Sequence, residues 1–124
     1  MNVVDSSGWL EYFADGSNAS RFAAPLKDTE ALIVPTISMY EVFKVLLRES
    51  GEDAALQAAS AMQRGHVVDL TPQIAMAAAT LSLEHALPMA DSIMLASARA
   101  VEATLWTQDA DFKGIDGVKF FRKK

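Results

Sequence analysis

In Thr104-Leu105-Trp106-Thr107-Gln108-Asp109-Ala110-Asp111-Phe112, the first four residues read as a short strand that is followed closely by an acid. Asp109 lies two residues past Thr107 and begins a loop or short helical turn. The chain opens in the same way, with Asn2-Val3-Val4-Asp5 reading as a strand that ends on a carboxylate. Leu32-Ile33-Val34, closed by Pro35, is a second strand, and His66 to Leu70 is a third. Val118-Lys119-Phe120-Phe121 reads as an edge strand.

Helical segments separate these strands. Ser6 or Ser7 caps a helix carrying Trp9, Leu10, Tyr12 and Phe13, and Asp15-Gly16-Ser17-Asn18 breaks it. A short helix from Ala19 is expected to end near Ala24, because Pro25 follows. Further helices are predicted from Thr36 or Ser38 to Glu49, from Glu52 to Met62, from Pro72 to His85 and from Met89 to Val101. Short apolar strands alternating with helices indicate a parallel sheet covered on both faces. The expected fold is a three-layer α/β/α domain over residues 1–124 with a central, mostly parallel sheet.

At 124 residues and 51% apolar content, the chain has enough material for one hydrophobic core and too much for disorder. No segment is long and apolar enough to cross a bilayer, and the start lacks the basic-then-apolar pattern of a signal peptide. Cysteine is absent, so disulfides and thiolate metal sites are excluded. These features fit a cytoplasmic protein. The net charge of −5 argues against a nucleic-acid coat protein. It does not argue against a nuclease whose acids are offset by bound cations. Lys119, Arg122, Lys123 and Lys124 crowd one end, either as a solubilising segment or against a phosphate backbone.

Four acids stand out by placement: Asp5, Glu41, Asp91 and Asp109, with Asp111 close by. In open α/β sheets, sites form beyond the carboxyl ends of the strands. Asp5 and Asp109 project toward that edge. Glu41 sits early in the helix after the second strand, and Asp91 sits in the first turn of the helix after Pro88. Carboxylates that converge repel one another unless protonated or neutralised by a cation. Each acid also has a plain structural reading: Glu41 as an ion-pair partner of Lys44, Asp91 or Ser92 as a helix cap, Asp5 and Asp109 as caps or Asx turns. Joint occurrence in this order favours a divalent-metal site. His66 and His85 lie apart from the acids, and surface or structural roles are expected for both.

These segments resemble the PIN-domain ribonucleases, and most closely the VapC toxins of VapBC toxin–antitoxin systems. The resemblance rests on Val4-Asp5-Ser6-Ser7, on Glu41 in Ser38-Met39-Tyr40-Glu41-Val42, on Pro88-Met89-Ala90-Asp91-Ser92, and on Thr107-Gln108-Asp109-Ala110-Asp111-Phe112. It implies a PIN-like fold in which Asp5, Glu41, Asp91 and Asp109 bind Mg²⁺ or Mn²⁺, with Ser6 and Thr107 as supporting polar groups. Asp111 either reaches the metal through water or orients its loop, the second being preferred. Leu87-Pro88-Met89 is less polar than the approach to this aspartate in many relatives. The implied activity is metal-dependent endoribonuclease cleavage to a 5′-phosphate and a 3′-hydroxyl. The implied partners are RNA, a VapB-like antitoxin and a second copy of the chain. Two rivals remain. A receiver-like or phosphatase protein fits poorly, because the early acids are not adjacent. A non-catalytic scaffold on the same fold predicts acids paired with Lys44 or Arg48.

Overall fold

The computed structural model describes residues 1–124. Five strands form one sheet: β1 (Asn2–Val4), β2 (Leu32–Pro35), β3 (His66–Val68), β4 (Thr104–Thr107) and β5 (Val118–Phe120). Their order is β3-β2-β1-β4-β5, and every adjacent pair is parallel. The expected α/β/α architecture is therefore present, with a sheet that is parallel throughout. Residue parity in the central strands explains both faces. Val3, Ile33 and Leu105 enter one core with helices α5 (Pro72–His85) and α6 (Met89–Ala100). Val4, Leu32 and Val34 enter the other core. That core is built with α1 (Ser6–Phe13), α2 (Ala19–Lys27), α3 (Thr36–Ser50) and α4 (Glu52–Met62).

The strand order reverses direction at the β1–β4 seam. From β1 the chain crosses outward through α1 and α2 to β2, then through α3 and α4 to β3. It then returns through α5 and α6 to β4 on the other side of β1. Right-handed crossovers in opposite directions place their helices on opposite faces, as observed. The reversal opens a crevice at the carboxyl ends of β1 and β4.

Three local expectations differ from the structure. The helix expected to stop near Ala24 runs to Lys27 through Pro25. Proline deprives the Arg21 carbonyl of its helical donor, but Phe22, Pro25 and Leu26 are all buried on one face, which offsets the loss. The third strand ends at Val68 rather than Leu70. Val68 pairs with Pro35, the last residue of β2, so residues beyond it have no ladder. The cap of α1 is Asp5, whose side chain accepts from Gly8 N, in place of Ser6 or Ser7. Gly8 is required by close approach: a Cβ there would lie 2.5 Å from Val4 Cγ1 and 2.8 Å from the Phe22 ring.

Candidate metal centre

Asp5 stands at the end of β1 and is only 3% exposed. Its Oδ1 accepts from Ser7 Oγ at 2.7 Å and from Gly8 N at 3.0 Å. Its Oδ2 accepts from Thr107 Oγ1. A carboxylate offers about four lone-pair directions, so these donors leave one on Oδ2 uncommitted. The two hydroxyls look both ways: Thr107 Oγ1 also accepts from Asp109 N at 2.9 Å, and Ser7 Oγ from Gln108 N at 3.2 Å. With both protons committed to Asp5, the 3.4 Å approach of Ser7 Oγ to Thr107 Oγ1 is not a further bond. Through this network the end of β1 fixes the loop after β4.

Asp91, Asp109 and Asp111 form a second group, each with a carboxylate oxygen within 4.8 Å of the others. Asp91 projects from the first turn of α6 and does not cap it; the cap residue is Pro88, and Ser92 Oγ donates to Met89 O. Asp109 caps the short 3₁₀ turn Ala110–Phe112, accepting from Asp111 N at 3.0 Å. The loop is thus shaped by the Asp109 side chain, while the exposed Asp111 carboxylate joins the cluster. Glu41, in the second turn of α3, accepts from Ser6 Oγ at 2.6 Å. The alternative Glu41–Lys44 ion pair is absent. The Lys44 ammonium lies 5.6 Å from the Tyr40 ring centroid, and Arg48 pairs with Glu49.

Electrostatics joins the two groups. Burial pushes Asp5 up from 3.8 to about 6, against the lowering effect of its Thr107, Ser7 and Gly8 hydrogen bonds. Burial also raises Asp91 to about 7, and the charges of Asp109, Glu41, Asp5 and Asp111 add to the shift. All five acids therefore sense one another at Asp91, and no ion pair involves any of them. The donor set fits a hard divalent cation: several carboxylate oxygens, no thiolate or imidazole, and uncompensated negative charge.

The sequence reading missed Ser7, Asn18 and Gln108. Ser7 carried a cap-like signal beside Asp5. Asn18 is fully buried and donates from Nδ2 to Gln108 Oε1 and Arg122 O, both at 3.0 Å. The aromatic residues after Asp5 are largely structural: Trp9 is buried and stacks on Phe13 with centroids 5.6 Å apart. His66 Nε2 lies 2.9 Å from Glu30 O, and His85 stands beside Glu84, both far from the acids in role.

Solved structures share this fold. A toxin–antitoxin complex from Klebsiella pneumoniae aligns at TM-score 0.81 and 22% identity, covering 96% of each chain. Mycobacterium tuberculosis VapC20, a sarcin–ricin-loop-cleaving toxin, aligns at 0.78 and 18% identity over 94% of this chain and 95% of that one. VapBC2 from Rickettsia felis, bound to a promoter DNA fragment, aligns at 0.76 and 14% identity over 99% and 98%. No curated protein matches the chain by sequence. The PIN domain family model matches residues 3–118, so this chain, with its parallel sheet and gathered acids, belongs to the PIN-domain family.

Proposed function

We propose that the chain is a metal-dependent endoribonuclease toxin restrained by a cognate VapB-like antitoxin. The observation that carries this reading is the convergence of Asp91, Asp109 and Asp111 beside Asp5 and Glu41, with no cationic side chain among them. In this reading Asp5, Glu41, Asp91 and Asp109 hold Mg²⁺ or Mn²⁺, and Asp111 completes the outer rim. When bound, the cation supplies an activated water near neutral pH and offsets charge developing on the phosphate. Thr107, Ser7 and Gly8 N fix the Asp5 carboxylate at the end of β1 with one Oδ2 lone pair uncommitted. Ser6 fixes Glu41, and Thr107 fixes the backbone that presents Asp109. Asp91, raised to about 7, is partly protonated near neutral pH, and a bound cation would favour its ionised form.

RNA as the substrate class is supported by the likeness to a toxin that cleaves the sarcin–ricin loop. An antitoxin partner is supported by the likeness to chains solved in toxin–antitoxin complexes. Exposed Tyr40, Leu47 and Leu56 on α3 and α4, and Met76, Leu83 and Met89 on α5 and α6, supply apolar surface for an antitoxin and for a homodimer. No helix is long and apolar enough to cross a membrane, in keeping with a cytoplasmic site of action. A scaffold with a vestigial groove calls for acids neutralised by Lys44 or Arg48, and both cations are engaged elsewhere.

The test is cleavage of end-labelled total RNA with Mn²⁺, with EDTA, and with Asp5→Asn or Asp91→Asn protein. Discrete Mn²⁺-dependent fragments that vanish in both variants are expected. Intact RNA with folded, antitoxin-free protein that also fails to bind Mn²⁺ would overturn the proposal.

A further inference from the structure

The sheet edge that carries the acids also carries cations that no acid neutralises. Because β5 is parallel to β4, residues 121–124 leave the sheet at the same edge as Asp5 and Asp109. Their root is fixed in place. Phe121 N donates to Thr107 O at 2.9 Å. One Asn18 amide nitrogen spans Gln108 Oε1 and Arg122 O, placing Arg122 two hydrogen bonds from the residue before Asp109. The Phe121 ring meets Phe22 edge-on at 5.6 Å, and Trp106 lies at 5.9 Å. Arg21 lies over the Phe121 ring at 5.2 Å, and Lys119 over Trp106 at 4.3 Å. Arg21, Lys119, Arg122, Lys123 and Lys124 are all exposed, and none forms an ion pair. They are five of the eleven Lys and Arg residues in a chain of net charge −5.

An acidic cluster repels a polyanion, so a strand of RNA needs cations next to the acids to approach them. We propose that Arg122, Lys123 and Lys124, flanked by Arg21 and Lys119, form a phosphate-binding rail that guides single-stranded RNA into the acid cluster. The rail rests on the nuclease reading and adds the surface that holds the substrate. Arg21 and Lys119, stacked on rings, keep their charge available for phosphates, and the Asn18 bond to the Arg122 carbonyl anchors the root of the rail beside Gln108.

The experiment compares wild type with the triple variant Arg122→Ala, Lys123→Ala, Lys124→Ala. Anisotropy of a labelled single-stranded RNA is followed in EDTA across a salt series, with poly-glutamate as competitor. Mn²⁺ binding and the urea midpoint are measured on the same proteins. The variant is expected to bind RNA about tenfold more weakly at low salt, its log–log salt slope smaller by about 2, or about 0.7 for each of the lost contacts. Mn²⁺ affinity and folding stay unchanged. An unchanged slope and affinity in the variant, with wild type still cleaving RNA, overturns the rail alone. Competition by poly-glutamate equal to that by RNA of the same charge overturns RNA as the occupant. Wild type that neither binds nor cleaves RNA overturns the nuclease reading and the rail with it.

Discussion

Thr107 shows how one hydroxyl governs two acids. It donates to Asp5 and accepts from the Asp109 amide. Thr107→Val keeps the shape and removes both bonds inside a fully buried position. It is expected to destabilise the protein by about 1–3 kcal/mol and to weaken Mn²⁺ binding. Urea titration and Mn²⁺ titration check the two effects separately. Asp91 behaves in the opposite sense. A carboxyl whose pKa is higher folded than unfolded binds its proton more tightly in the native state, so stability falls as pH rises through the folded value. For Asp91 and Asp5 that window runs from about 4 to about 7. Asp91→Asn should therefore stabilise the metal-free protein at pH above 7, by roughly 1–3 kcal/mol after solvent screening, while abolishing metal-dependent cleavage. Urea midpoints in EDTA across this pH range would show the gap between variant and wild type closing in acid. Asp5, Glu41 and Asp91 stand out in the sequence because a carboxylate in an apolar segment needs a reason, and Asp109 and Asp111 because they follow a strand. Asn18 and Gln108 do not, because their bond spans 90 residues of chain and no local pattern marks either end.

At the level of elements, the strands and helices were legible where apolar runs meet strong punctuation. Thr71-Pro72 opens α5 as expected, with Thr71 Oγ1 accepting from Ile74 N. Pro25 was misleading because local rules weigh the lost hydrogen bond and not the burial of the face around it. The end of β3 was hidden for another reason: strand length depends on a partner more than thirty positions away in sequence, Pro35. Gly8 lets α1 approach Val4 and Phe22 closely. Gly8→Ala is expected to cost about 1–3 kcal/mol by forcing those side chains apart, and to disturb the Gly8 amide bond to Asp5. The urea midpoint should fall, and Mn²⁺ affinity should fall with it.

For the whole molecule, the acids gathered at the carboxyl edge of the sheet have no cationic partner, so a divalent cation that binds them, as proposed, would stabilise the folded state. Adding Mn²⁺ at pH above 7 is expected to raise the thermal midpoint, with about 2.7 kcal/mol gained at a hundredfold excess over Kd. EDTA should reverse the shift, and the gain should shrink in acid as Asp91 and Asp5 take up protons. The reversal of strand order at the β1–β4 seam has a separate consequence. On one side of it Asp5 and Glu41 precede the exposed Leu70–Thr71 connection in the chain, and on the other Asp91, Asp109 and Asp111 follow that connection. A polypeptide cut there yields two pieces, each carrying an incomplete set of the five acids. Produced separately, neither piece should cleave RNA; brought together by fused dimerising tags, they should re-form the β1–β4 pairing and, on the proposed function, regain Mn²⁺-dependent cleavage.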